Sequence, residues 1–197
     1  WTSSDVVRKI KVMMRRLGHR KIKVGHAGTL DPLATGILIV CLGRATKQAE
    51  ALQAQPKEYL TTLALGATTP SFDMELPVDR TFPYEHITRQ MLEEALRTME
   101  GEQMQLPPVY SAKSIDGKRA YEYARQGTEV EMRRAPVTVY GMRLESFEPP
   151  RATLRIRCSK GTYIRSIARD LGEKLGSGAY LTALCRTRSG DFTLEDA

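Results

Sequence analysis

The sequence is short of the residues that most metal and cofactor chemistry requires. Three cysteines (Cys41, Cys158, Cys185) and three histidines (His19, His26, His86) are scattered over 197 residues. No C-x-x-C or H-x-x-x-H occurs, so the ligand spacing that builds zinc sites is missing. The odd cysteine count argues against a disulfide framework, and we expect a reducing, cytoplasmic setting. Neither G-x-G-x-x-G nor a Walker loop is present, so the common phosphate cradles of nucleotide cofactors are excluded. No metal and no small-molecule cofactor is expected. Nor does any apolar run approach the ~20 residues that a membrane-spanning helix needs. Repeats, low-complexity tracts and a second-domain linker are absent as well, so one domain over residues 1–197 is expected.

Positive charge is what the sequence has in surplus. Thirty Lys and Arg residues against 23 Asp and Glu give a net charge of +7, with a pI of about 9.4. That balance permits a polyanionic partner without proving one. Hydrophobic residues make up 41% of the chain, enough for a real core.

One stretch stands apart. Gly25 to Gly36 reads GHAGTLDPLATG and holds a single carboxylate, Asp31, among three glycines and one proline. Pro32 keeps Asp31 out of the helical region and has no N–H to offer it. Basic residues flank the stretch on both sides: Arg20, Lys21 and Lys23 before, Arg44 and Lys47 after. The apolar run Gly36–Leu42 behind it reads as one buried strand. An isolated Asp is therefore expected on a tight loop anchored to the core.

The remaining elements follow from periodicity. Residues 4–17 read as a helix capped by Ser3 or Ser4, with Val6, Ile10, Met13 and Leu17 on one face. Arg8, Lys9, Lys11, Arg15 and Arg16 occupy the other, and this basic run continues through His19–Lys23 into the Asp31 loop. Arg44–Ala54 reads as a short helix, Glu58–Gly66 as a strand and Ile87–Glu100 as a second long helix ended by Gly101. Residues 66–80 form a polar loop, Tyr121–Arg125 a short helix ended by Gly127, and Val137–Phe147 a strand. Leu154, Ile156 and Cys158 alternate with Arg155 and Arg157, giving a strand with one apolar and one basic face. A helix follows, with Ile164, Ile167, Ala168, Leu171 and Leu175 inward. Arg165 falls beside that stripe near the helix N-terminus, where the helix dipole disfavours a cation. It is expected to have a specific anionic partner.

The Gly25–Gly36 stretch resembles the GH-x-G-x-LDP-x-A-x-G motif of the TruB-type tRNA pseudouridine synthases. Further segments extend the resemblance over nearly the whole chain: Lys57 and Tyr59 (K-x-Y), Leu65, Gly66, Thr69 and Asp73, then Y-S-A at 110–112, Y-E-x-A-R-x-G at 121–127, and C-S-K-G-T-Y-I-R at 158–165. Four positions depart from the family pattern, the first being Ser71 in place of a second threonine. Leu76 replaces a turn glycine, Ser114 stands for a lysine with Lys113 one place earlier, and Cys185 stands for an arginine. The family's first strand and its C-terminal PUA-type domain have no counterpart here, so the resemblance implies a catalytic domain trimmed at its N-terminus.

The resemblance implies a mixed α/β (α+β) chain of the pseudouridine synthase fold, a largely antiparallel mixed sheet flanked by helices. It implies Asp31 as the catalytic residue, with Arg165 beside it, and His26, Tyr59, Tyr163 and Leu184 as substrate contacts. The implied substrate is uridine 55 in the T stem-loop of tRNA, acted on by a monomer without membrane attachment. Isomerising uridine needs one carboxylate as nucleophile or base. A carboxylate near RNA phosphates is repelled unless a cation sits beside it, and Arg165 would supply that cation. Two other readings cover part of the pattern. A non-catalytic RNA-binding module would use the basic helix but leaves the Asp31 loop unexplained. A glycoside hydrolase normally takes two carboxylates about 5–10 Å apart, and no second acid accompanies Asp31 in its loop.

Overall fold

A computed structural model describes residues 1–111, 114–115, 118–125 and 131–197. In chain order the first elements are α1 (Ser3–Arg16), β1 (Val24–His26), β2 (Thr35–Gly36), β3 (Val40–Leu42), a 3-10 turn (Gly43–Gln48), α2 (Ala49–Ala54) and β4 (Lys57–Leu65). Then come β5 (Ala67–Thr68), β6 (Arg80–Thr81), α3 (Arg89–Thr98), β7 (Gly101–Gln105), β8 (Ser114–Ile115), β9 (Lys118–Arg119) and α4 (Ala120–Arg125). The chain ends with β10 (Ala135–Glu148), β11 (Arg151–Cys158), α5 (Ile164–Lys174), β12 (Ala179–Ser189), β13 (Phe192–Thr193) and a 3-10 turn (Leu194–Asp196).

The main sheet runs β13-β12-β4-β11-β10-β7, antiparallel throughout, with β2 added parallel to β12. The expected mixed, largely antiparallel sheet flanked by helices is what the chain forms. Strand β11 keeps the alternation read from its sequence: Ala152, Leu154, Ile156 and Cys158 are fully buried. They meet Leu63 and Leu65 of β4, Leu92 and Leu96 of α3, and Ile164, Ile167, Ala168 and Leu171 of α5 in one cluster. Each such Leu or Ile contributes roughly 1.5–3 kcal/mol. The opposite face of the sheet is polar. There Arg155 bonds both Glu58 (2.9 Å) and Glu145 (2.8 Å), crossing three strands, and Arg143 joins Glu145 at 2.7 Å.

The ends of the helices are set by local chemistry. The Thr88 hydroxyl accepts the Met91 N–H at 3.2 Å and starts α3 two residues later than Ile87. Ile87 just before the cap and Leu92 in the next turn share the core, as in a hydrophobic staple. Helix α1 is capped by Thr2 rather than by Ser3 or Ser4, because Thr2 and Asp5 form a reciprocal capping box. Ser3 has a different task, described below. The apolar face of α1 is only partly covered: Met13 is 49% exposed and Leu17 72%.

The expected Gly36–Leu42 strand is two strands in two sheets. Gly36 pairs with Arg186 of β12, whereas Val40–Leu42 pairs with β1. An apolar run signals burial but not the pairing partner, and a glycine with φ of 99° redirects the chain between them. The helix expected over Arg44–Ala54 begins as a 3-10 turn and becomes α-helical only at Ala49. The Lys113 position and the helix stop at Gly127 lie outside the described residues.

Gly36 is confined by more than its backbone angle. A Cβ there would lie 2.2 Å from the Arg186 carbonyl oxygen and 2.8 Å from its N and C atoms. Neither strand can yield without breaking the β2–β12 pair. Gly36→Ala should therefore cost ~3 kcal/mol or more in urea unfolding. Gly25→Ala, with open space around its would-be Cβ, should stay within about 0.5 kcal/mol of the parent. Equal stabilities would remove the steric account.

Candidate active site

The loop from Gly28 to Gly36 is irregular, so its backbone polar groups need partners outside a ladder. The Ala34 N–H donates to the Asp31 carbonyl at 2.9 Å and closes a turn around Pro32. Ser3, buried at the start of α1, receives the Leu30 N–H on its hydroxyl at 2.9 Å and donates to the Leu30 carbonyl at 3.2 Å. The residue before Asp31 is thus tied to the basic helix. From the other side Arg186 donates to the carbonyls of Gly28 (3.2 Å), Thr29 (3.2 Å) and Ile37 (2.8 Å).

Asp31 meets Arg165 in the bidentate geometry that a guanidinium fork favours. Arg165 Nε donates to Oδ2 at 2.9 Å and Nη2 to Oδ1 at 3.1 Å. The Arg165 side chain is 5% exposed, and that of Asp31 is 33% exposed. One end of the pair is therefore buried while the other reaches the surface. Nη1 donates to the carbonyls of Tyr110 (2.6 Å) and Ser71 (3.3 Å). A second carboxylate, Asp73, stands 3.7 Å from Nε. The anionic partner expected for Arg165 is present twice.

The 69–75 turn that brings Asp73 inward is internally bonded. Thr69 donates to the Asp73 carbonyl at 2.7 Å, Ser71 to Asp73 Oδ1 at 2.6 Å, and the Glu75 N–H to the same oxygen at 2.9 Å. Phe72 adopts φ of 58°, a left-handed conformation that costs a non-glycine residue roughly 1–2 kcal/mol. Its carbonyl accepts the Leu181 N–H at 2.9 Å, which locks the turn to β12. Ser71, in place of the family's second threonine, still supplies the hydroxyl that this turn uses.

Asp31, Asp73 and Arg165 line a cleft of about 290 Å3 together with Leu33, Ala34, Met74 and the β12 residues Leu181 to Leu184. Leu184, a substrate contact implied by the resemblance, lines the cleft wall. The other expected contacts sit behind or beside that wall. Tyr59 lies on β4 opposite Arg186 and packs on the core with Leu184. Burial pushes its phenol above the ordinary range, while the Arg186 charge and hydrogen bond pull the other way. Tyr163 is the N-cap residue of α5, its backbone held by both ends of the Gln105 amide (2.9 and 3.1 Å). His26 lies on β1, and burial lowers its pKa, with the Arg186 charge adding to the effect. None of these three lines the cleft.

Two residues escaped a site role in the sequence. Asp73 enters the sequence only as one of the residues that carry the resemblance, and its pairing with Arg165 depends on the Phe72 turn. Arg186 is 2% exposed, a position that strand composition reads as surface. Cys185, the family departure beside it, is half-buried and pairs with Thr35. Lys57 is also buried; its ammonium donates to the carbonyls of Gln53 and Gln55 at the end of α2, and burial lowers its pKa to about 8. Among the described residues no cluster of His, Cys, Asp or Glu has the form of a metal site.

Known proteins place the chain independently of this geometry. The model of the TruB family pseudouridylate synthase N-terminal domain matches residues 15–164. A tRNA pseudouridine synthase B of Phocaeicola vulgatus is 56% identical over 197 residues, which is 100% of this chain and 84% of that protein. One from Chloroherpeton thalassium is 43% identical over 198 residues, covering 100% and 82%. Among solved structures, a chain of a Cbf5–Nop10–Gar1 complex aligns over 98% of this chain with a TM-score of 0.73 and 30% identity. A chain of an H/ACA RNP bound to a substrate RNA containing 2'-deoxyuridine gives 0.69 and 27%. The chain spans less than half of those two solved chains, 46% and 45%. With a family model matching most of its length and whole-chain relatives above half identity, the chain belongs to the TruB family of pseudouridylate synthases.

Proposed function

We infer that the chain is a tRNA pseudouridine synthase that isomerises uridine 55 in the T loop, with Asp31 as its catalytic residue. The observation that carries this reading is the Asp31–Arg165 pair, a partly exposed carboxylate held bidentately by a buried cation at an apolar-walled cleft. In this reaction the uracil–ribose C–N bond breaks, the base turns, and a C–C bond forms through C5. Attack by Asp31 on the base, attack on the sugar and removal of a sugar proton all need an oxygen lone pair on one fixed carboxylate. At ~4 Å and an effective dielectric of ~20, the attraction to Arg165 is about 4 kcal/mol before desolvation. That attraction offsets the repulsion of RNA phosphates.

A base cannot turn inside a stacked loop, so the target uridine is flipped into the cleft at a cost of a few kcal/mol. Leu33, Met74 and Leu184 provide apolar surface for it. Tyr59 and Tyr163 come next to the base once the cleft adjusts to RNA, with Tyr59 suited to proton removal from C5. His26 contacts the RNA or fills the vacated place in the stack. The folded T stem-loop is recognised largely by shape, and the basic face of α1 holds its phosphates. The enzyme acts as a monomer in the cytoplasm, where tRNA is processed.

Asp31→Asn should fold and bind unmodified tRNA transcript nearly as the parent does, yet make no pseudouridine. Turnover within about tenfold of the parent would remove Asp31 from the chemistry. Arg165→Lys keeps the charge but not the fork, and should lower kcat by about 100-fold with little change in tRNA affinity. A parent-like kcat would reduce Arg165 to a packing role. Raising salt should weaken tRNA binding steeply as phosphate contacts release counterions. Arg8→Glu/Arg15→Glu should lower affinity for all T-loop sequences alike and flatten the salt slope. An unchanged slope and Kd would make that helix face merely solvated.

A further inference from the structure

Arg186 is the bulkiest fully buried side chain among the described residues, and none of the roles above uses its charge. Its guanidinium faces three backbone carbonyls and the Tyr59 hydroxyl. Among the described residues, no carboxylate pairs with it. Burying a cation against carbonyls alone is expensive, and an apolar side chain of similar volume would often stabilise a core as well or better. Its neighbours register the charge: burial first, and Arg186 after it, lowers the pKa of Lys57, and at His26 the Arg186 charge adds to the lowering by burial against a raising hydrogen bond with Gly28.

The placement of its bonds gives the charge a use. Gly28 and Thr29 precede Asp31 and Ile37 follows it, so the three carbonyls bracket the carboxylate in the chain. The Arg186 carbonyl also accepts the Ile37 N–H at 2.9 Å. One residue of β12 therefore holds both ends of the Asp31 loop, and Leu184 of the cleft wall lies two positions away on the same strand. On this side the β2–β12 pairing at Thr35 and Gly36 supports the end of the loop and the Arg186 guanidinium reaches its start, while Ser3 bonds Leu30 from the other.

We propose that Arg186 is a positioning residue for pseudouridine formation: its guanidinium sets the Gly28–Ile37 backbone so that Asp31 meets the flipped uridine held against β12. The planar fork is required because its three nitrogens serve three carbonyls in different directions, which an ammonium cannot reproduce. This rests on the function inferred above, with Asp31 as the reacting carboxylate. A displacement of about 1 Å at such a group costs on the order of 100-fold in rate.

The test is single-turnover pseudouridine formation on unmodified tRNA transcript, with tRNA Kd and thermal unfolding measured on the same preparations. Arg186→Lys keeps charge without the fork. Arg186→Gln removes the charge, so no uncompensated cation is left to unfold the protein. Both should bind tRNA within about threefold of the parent and react about 100-fold more slowly. In Arg186→Ala, millimolar guanidinium chloride should restore at least about tenfold of the lost rate, whereas urea at equal concentration should not. Parent-like rates in a folded Lys or Gln variant overturn the proposal. A rate loss that only follows the unfolded fraction, without guanidinium rescue, overturns it as well. The parent protein run alongside separates the two readings: no product from it defeats the inferred function, while product from it and equal product from Arg186→Gln defeats only the positioning role.

Discussion

A guanidinium can stay in a protein interior only if its charge and its N–H groups are answered there. Arg165 meets that condition at a position the helix dipole opposes, the first turn of α5. Its answers come from three separate segments: Asp31, the turn that carries Asp73 and the Ser71 carbonyl, and the Tyr110 carbonyl. Whatever places those segments is therefore constrained by one side chain. The Phe72 turn, the segment that carries Tyr110 and the Asp31 loop are irregular, yet each is pinned because it owes a hydrogen bond to the same cation. Removing the arginine would leave two carboxylates facing each other and two carbonyls without a donor.

The second constraint is how an irregular loop can be rigid. A ladder would hold the Asp31 loop but leave no room for a substrate. The chain instead ties it by single points: Ser3 of α1 at Leu30, Arg186 of β12 at three carbonyls, and Gly36 against the β12 backbone. Each tie comes from a regular element, helix α1 on one side and strand β12 on the other. The carboxylate keeps one face on Arg165 and the other toward the cleft.

The sequence carried the regular elements well where periodicity was strong. The alternation of Leu154, Ile156 and Cys158, and the Ile164–Leu171 stripe, survive as core contacts because both faces of those elements have opposite solvent fates. Asp31 and Arg165 were legible too, one from its Pro/Gly frame and the other from its conflict with the dipole. Their pairing is a tertiary fact that the family motif supplied. The splitting of Gly36–Leu42 was not legible, since apolar content says nothing about which strand is the neighbour. Arg186 and Asp73 were missed for a related reason: charge in a strand or loop reads as exposure until its partners are known. The α1 face was overstated, because an amphipathic pattern does not say how much of it the rest of the chain can cover.

The strand order has a consequence for how the chain acquires its site. Strand β4 sits centrally in the sheet, yet its two partners, β11 and β12, lie in the last quarter of the chain. Asp31 and Arg165 are 134 positions apart. Local elements such as α1 and the β1–β3 pair can form early, but loop-closure entropy must be met before β4 finds either neighbour. During synthesis the Asp31 loop thus has only its Ser3 tie until α5 and β12 are made. The carboxylate acquires its cation only after α5 has emerged, so helix α1 and its capping box stand complete well before the Asp31–Arg165 pair can exist.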